Sequence, residues 1–92
     1  MIVNIIADYF EISEPTLCGR FDKREVNEAR DLLIYFLHKK TNLNLRGIGT
    51  VVDNRIKGTI LYSLRRVRNR IDAYPETRDQ IKEIDRLITK LG

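Results

Sequence analysis

Apolar residues recur along this 92-residue chain at the three- and four-residue spacing of amphipathic helices, with almost no strand-like alternation. The first helix is predicted to begin at Ile2 and to stop near residues 11–13, because Pro15 disfavours helical backbone at the residue before it. Ser13 is predicted to cap a short second helix. The chain therefore opens with two helices rather than with a strand.

The longest predicted helix runs from about Arg24 to Thr41. Its apolar residues cover most of its circumference, which is typical of the central helix of a bundle. The segment TNLN interrupts this pattern, and Asn44 is predicted to cap a short helix. Asp53 and Asn54 then turn the chain.

A longer helix is predicted from residues 55–57 to residue 72 or 73. Its core side is formed by Ile56, Ile60, Leu64, Val67 and Ile71. Its opposite face carries Gly58, Thr59, Tyr62, Arg65, Arg66 and Asn69. Pro75 ends this run, and Thr77 and Gln80 have the spacing of a capping box for the last helix.

These elements predict a single all-α domain, a five- to six-helix bundle that contains a helix-turn-helix. Residues 44–73 supply that motif: a short helix, a turn of three to five residues and a longer helix. The second helix of such a pair enters the DNA major groove by its N-terminal residues.

Charge is distributed unevenly along the chain. Residues 39–72 carry nine Lys/Arg and two Asp, a formal charge of +7, whereas the remainder carries −3. A basic middle on an otherwise acidic chain indicates an anionic partner, and double-stranded DNA is the partner that a helix-turn-helix predicts. The alternative for the arginines of residues 65–70 is an ordinary solvated helix face.

Other chemistry is not indicated by the sequence. Cys18 is the single cysteine and His38 the single histidine, and neither has a partner at catalytic or ligand spacing. The GIG at 47–49 is not followed by the Gly-Lys-Ser/Thr of a phosphate loop. We expect no enzyme activity, no cofactor or metal, no small-molecule substrate, no membrane span, and a cytoplasmic, nucleoid-associated protein.

The segments IADYFEIS and TNLNLRGIGTVVDNRIKGTILYSLRRV resemble the C-terminal DNA-binding domain of the bacterial chromosomal replication initiator family, DnaA. The similarity extends without a gap from Ile6 to about Val67. The spacing of Thr41-Asn42, Ile48-Gly49 and Arg55 is its most specific part. The resemblance implies a fold of the Trp-repressor type and a role in replication initiation or its regulation, without ATPase activity.

The resemblance also implies which residues contact DNA. Our candidates, from it and from the helix faces, are Arg24, Arg30, Arg46, Arg55, Lys57, Gly58, Thr59, Tyr62, Arg65 and Arg66. The family has Asp-His-Ser/Thr after the arginine, whereas this chain has Ile56, Lys57 and Gly58. We therefore expect a target other than the family's usual box, since an isoleucine cannot hydrogen-bond a base edge.

A second hypothesis remains open at this point. The same helices could form a protein-interaction module that has kept the fold and lost the ability to recognise DNA. The acidic charge outside residues 39–72 and the Ile-Lys-Gly at 56–58 favour this hypothesis. Partners other than DNA would then be proteins. A two-fold homodimer is compatible with either hypothesis.

Overall fold

A computed structural model of the chain describes residues 1–91, and the side chains of residues 1–90, as helices that share one hydrophobic core. The helices are α1 (Ile2–Phe10), α2 (Glu14–Cys18), α3 (Arg24–Lys40), α4 (Leu45–Val51), α5 (Lys57–Ala73) and α6 (Pro75–Leu91). No strand occurs within this part of the chain. The all-α prediction is confirmed, at the upper end of the expected number of helices.

Helix α3 is the centre of the bundle, as its broad apolar surface predicts. It packs against α1, α2, α4 and α5, while α6 closes the bundle over α1 and α5. Leu33 and Phe36 of α3 are fully enclosed by these neighbours. Among residues 1–91, no helix is long and apolar enough to cross a lipid bilayer.

The helix ends follow the capping chemistry of the sequence. Helix α1 stops at Phe10, because Glu11 takes a left-handed conformation with φ of 55°. The Ser13 hydroxyl accepts a hydrogen bond from the Thr16 amide at 3.3 Å. The Asn44 side chain accepts one from the Gly47 amide at 2.8 Å. Both predicted N-caps are therefore confirmed.

Two local predictions are wrong. Ile56 was assigned to the core side of α5, but it precedes that helix and is 74% exposed. The capping box is absent, because α6 already begins at Pro75 and Thr77 lies buried within its first turn. Proline is well suited to the first helical position, where no amide hydrogen is needed.

Candidate nucleic-acid interface

Helices α4 and α5 form a helix-turn-helix joined by residues 52–56. Asp53 and Asn54 both adopt left-handed backbone, with φ of 65° and 55°. Aspartate and asparagine tolerate this conformation better than other residues with a side chain. The pair therefore reverses the chain over five residues and directs the N-terminus of α5 beside α4.

Gly49 lets the turn approach α4 closely. The Arg55 amide donates to the Gly49 carbonyl at 3.0 Å. A Cβ atom at Gly49 would lie 2.1 Å from the Arg55 carbonyl oxygen, which no side chain permits. The angle between the two helices of the motif thus depends on a glycine at this position.

Arg55 holds the turn in place. Its Nε donates to the Val52 carbonyl at 2.9 Å and its Nη2 to the Gly19 carbonyl at 2.7 Å. Beside it, Arg20 forms an ion pair with Asp53. The sequence predicts Arg55 as a DNA contact, whereas the structure places its guanidinium, half-buried, between the turn and the loop after α2.

Arg46 and Lys57 lie on the two sides of an open groove of about 760 Å³ between α4 and the start of α5. Both side chains are exposed. The groove is also lined by Asn44, Leu45, Thr50, Asn54, Arg55 and Ile56. It therefore brings one cation from each helix of the motif to a common surface.

The outer face of α5 continues this surface. The exposed residues of α5 are Lys57, Gly58, Leu61, Tyr62, Arg65, Arg68, Asn69, Asp72 and Ala73, while Thr59 is half-buried. A Cβ atom at Gly58 would meet nothing within 4 Å. Within the described chain no side chain caps α5, because Ile56 has no acceptor to offer. The amides of Lys57 and Gly58 therefore have no side-chain acceptor, whereas the Thr59 amide donates to the Ile56 carbonyl at 3.0 Å.

Arg66 leans from this face toward the core. Its Nε and Nη2 donate to the two Asp31 carboxylate oxygens of α3, both at 2.9 Å. Its guanidinium carbon also lies 4.6 Å from the centre of the Tyr62 ring. The hydrogen bond with Asp31 raises the pKa of Arg66 above its ordinary value. The charge of Arg66 is therefore shared with a buried carboxylate.

Arg30 does not face the solvent. It is 4% exposed, and its Nε donates to the Leu17 carbonyl at 2.7 Å. Its other nitrogens donate to Thr16, Phe21 and Asn27. Burial lowers its pKa from the ordinary arginine value. The expected phosphate contact is therefore corrected: in this structure Arg30 ties α2 and the following loop to α3.

Arg24 lies in a different groove from Arg46 and Lys57. It shares that groove with Glu28, Arg70 and Glu76, at the C-terminal end of α5. Arg70 lies thirteen positions after Lys57 on the same helix, which corresponds to about 20 Å along the axis. The structure thus does not join Arg24 to the cationic surface of the helix-turn-helix.

Arg70 pairs with acidic residues of α3. Its guanidinium lies 3.9 Å from Glu28 and 3.5 Å from Asp31, both on α3. Arg68, by contrast, is exposed. Of the arginines near the end of α5, one therefore strengthens the contact with α3 and the other faces solvent.

Cys18 and His38 lie apart from this surface. The Cys18 side chain is half-buried at the end of α2, and burial raises the pKa of its thiol. His38 is exposed on the last turn of α3. Neither contributes to the groove between α4 and α5.

Two functional features were missed in the sequence. Asp31 is 3% exposed and clamps α3 to α5, and its one signal is an acidic residue inside the apolar run of α3. Ile56 lies at the exposed end of the motif because α5 begins at Lys57, the last of the predicted starting positions, so Ile56 precedes the helix instead of joining its apolar stripe. Helical periodicity by itself locates neither feature.

The α4–α5 motif places this chain in the helix-turn-helix class of proteins, and the second helix of the motif carries exposed cations. Comparison with protein families narrows this class. The sequence model described as bacterial dnaA protein helix-turn-helix matches residues 1–67, from α1 into α5. The chain belongs to this family.

Full-length relatives agree with the assignment. The chain is 34% identical over 83 residues to the chromosomal replication initiator protein DnaA of Corynebacterium aurimucosum, covering 90% of the chain and 15% of that relative. It is 28% identical over 91 residues to the protein of that name from Gloeobacter violaceus, covering 99% of the chain and 19% of the relative. The chain thus spans less than a fifth of the length of these relatives.

Proposed function

We propose that this chain binds double-stranded DNA in a sequence-specific way, with the N-terminal half of α5 in the major groove and α4 across the backbone. The observation that carries this proposal is the groove that Arg46 of α4 and Lys57 of α5 line together, with Arg65 exposed further along α5. Exposed cations offset phosphate charge, while the open start of α5 leaves room for base edges. The named relatives are replication initiators, so we assign the binding to replication initiation or its regulation.

The candidate phosphate-contacting cations fall into two groups, those that are free to bind phosphate and those already bonded within the protein. Arg46, Lys57, Arg65 and Arg68 are exposed and can reach phosphates without breaking an internal bond. Arg55 and Arg66 already donate hydrogen bonds within the protein. Their role is therefore to hold the helices in place and to add positive electrostatic potential to the surface. Four or five phosphate contacts correspond to a log–log salt slope of about −4.

Gly58, Thr59 and Tyr62 complete the proposed contact surface. Gly58 allows close approach of the duplex, because the space beside it is open. The Tyr62 ring is 58% exposed and held against Arg66, so its hydroxyl is available to a phosphate or a base edge. The half-buried Thr59 offers its hydroxyl at the edge of the same face.

The proposal includes the absence of ATPase activity in this chain. Its support is local: Gly47 and Gly49, the glycines of the GIG segment, lie inside α4 rather than in a loop that could surround a phosphate. Gly49 is moreover in close contact with the Arg55 backbone. ATP hydrolysis by the purified chain, above a buffer control, would contradict this part.

A helical protein-interaction module is the second candidate. Exposed apolar side chains at Ile56 and Leu61, 74% and 49% exposed, favour it, because such residues also occur at protein interfaces. It makes a different prediction, namely that binding to random duplex is absent even at low salt. A single titration therefore separates the two functions.

Fluorescence anisotropy of a labelled random duplex, measured at two salt concentrations, is the decisive test. We expect steeply salt-dependent binding. Lys57→Ala and Arg65→Ala should each weaken it about three- to tenfold, roughly uniformly across sequences. Lys82→Ala, an equal loss of charge on an exposed position of α6, is the matched control and should change affinity little. Equal losses in all three variants would show a diffuse attraction and refute the helix-turn-helix as the DNA-contacting surface.

A further inference from the structure

Ile56 is the most exposed isoleucine among residues whose exposure is described. Its side chain is 74% exposed, although the fold buries other isoleucines such as Ile48 and Ile60 completely. It sits at the N-cap position of α5 with extended backbone, φ −75° and ψ 159°. This conformation directs the residue ahead of the helix and away from the apolar stripe that starts at Ile60.

The surroundings of Ile56 are cationic. It lines the groove between α4 and α5 together with Arg46, Arg55 and Lys57. An apolar protein partner would have to cover these three charges, whereas a duplex neutralises them. Charge complementarity therefore favours DNA as the occupant of this surface.

A DNA major groove presents one common apolar group, the C5-methyl of thymine. Ile56 lies at the end of α5 that enters this groove in helix-turn-helix complexes. The next two positions do not obstruct it, because Lys57 is exposed and the space beside Gly58 is open. An aliphatic side chain in this place has thymine as its complementary base.

We infer that Ile56 contacts a thymine methyl and makes the chain prefer a T·A pair at one position of its target. This inference rests on the proposed function and specifies it. It also accounts for an aliphatic residue at the exposed end of an otherwise polar helix terminus. Burying one methyl group against Ile56 corresponds to about a three- to fivefold gain in affinity.

The test uses duplexes that differ by single methyl groups. A target is selected from a randomised duplex pool, and each thymine is then replaced by deoxyuridine, which removes the methyl and preserves base pairing. We expect wild-type protein to lose about three- to fivefold in affinity at one thymine and little elsewhere. Ile56→Ala should bind thymine and deoxyuridine duplexes equally, whereas Ile56→Val should retain part of the difference.

Tyr74→Ala is the control, because Tyr74 is a large side chain that is 55% exposed at the opposite end of α5. It should keep the wild-type preference for thymine. Equal wild-type affinity for every thymine and deoxyuridine pair would overturn the inference and leave DNA binding intact. So would a discrimination that survives Ile56→Ala. No binding to any duplex at low salt would overturn the proposed function and this inference together.

Discussion

The guanidinium of Arg66 and the carboxylate of Asp31 join α5 to α3 through two hydrogen bonds of 2.9 Å each. Asp31 is buried, and Arg70 approaches the same carboxylate at 3.5 Å. Because Arg66 also lies against the ring of Tyr62, the pair fixes both the helix and one residue of its outer face. The orientation of the proposed recognition helix is thus set from the core.

Arg66→Ala should lower the free energy of unfolding by about 1–3 kcal/mol. The reason is that Asp31 would lose its bidentate partner while remaining buried. Urea unfolding followed by circular dichroism measures the change. Arg65→Ala removes the same charge from the neighbouring exposed position and should be nearly neutral. Equal stability of both variants would mean that the Asp31 contact contributes nothing to the fold.

Arg30→Lys should destabilise the protein by about 2–4 kcal/mol, even though the charge is kept. A lysine ammonium cannot reproduce the planar set of donors that reaches the carbonyls of Thr16, Leu17 and Phe21. Thermal unfolding of the two proteins gives the comparison. Wild-type stability combined with reduced duplex affinity would instead restore Arg30 as a direct DNA contact.

Glycine-to-alanine substitutions at Gly49 and Gly58 should have opposite consequences. Gly49→Ala places a methyl group 2.1 Å from the Arg55 carbonyl oxygen, and we expect a loss of about 3 kcal/mol or more. Gly58→Ala enters open space and should be neutral or stabilising by up to about 1 kcal/mol. Chemical denaturation of the two variants and the wild-type protein measures the change, after circular dichroism has compared their helical content in the folded state. A well-folded, stable Gly49→Ala protein would show that the turn can open away from α4.

The thiol of Cys18 should react slowly with iodoacetamide at pH 8. Burial, with a smaller contribution from Glu14, raises its pKa, so less thiolate is present than in a free cysteine. Because the pKa of Cys18 is higher in the folded than in the unfolded protein, its neutral thiol contributes to the free energy of unfolding below the unfolded-state pKa. This contribution is lost as the pH rises through the folded-state pKa. Alkylation rates between pH 7 and 10, followed by mass spectrometry, test the shift, with free cysteine as the reference. A rate equal to that of free cysteine would contradict it.

Several elements could be predicted because their signals are local. Ser13 and Asn44 cap helices through their own side chains, and Asp53-Asn54 tolerates left-handed backbone. The breadth of the apolar surface of α3 placed it at the centre of the bundle. The start of α6 was predicted wrongly because two signals compete there. The spacing of Thr77 and Gln80 suggests a cap at Thr77, whereas proline is favoured at the first helical position, and α6 begins at Pro75.

The candidate site was less predictable than the fold. Arg30, Arg55 and Arg65 are chemically identical in a sequence, yet one is buried, one holds a turn and one faces solvent. Their different roles follow from which backbone carbonyls lie within reach, and those carbonyls belong to other elements of the chain. Sequence spacing therefore identifies a basic segment but does not separate its structural cations from its free ones.

Local signals in the sequence predict five or six helices, the order of the helix-turn-helix and the basic character of residues 39–72. These depend on helical period, capping and composition, which act within a few residues. Packing between distant parts of the chain pairs Asp31 with Arg66, lets Arg55 donate to the Gly19 carbonyl and leaves Ile56 exposed. Such contacts join residues many positions apart, and they form only where packing has brought the partners together and removed water from between them.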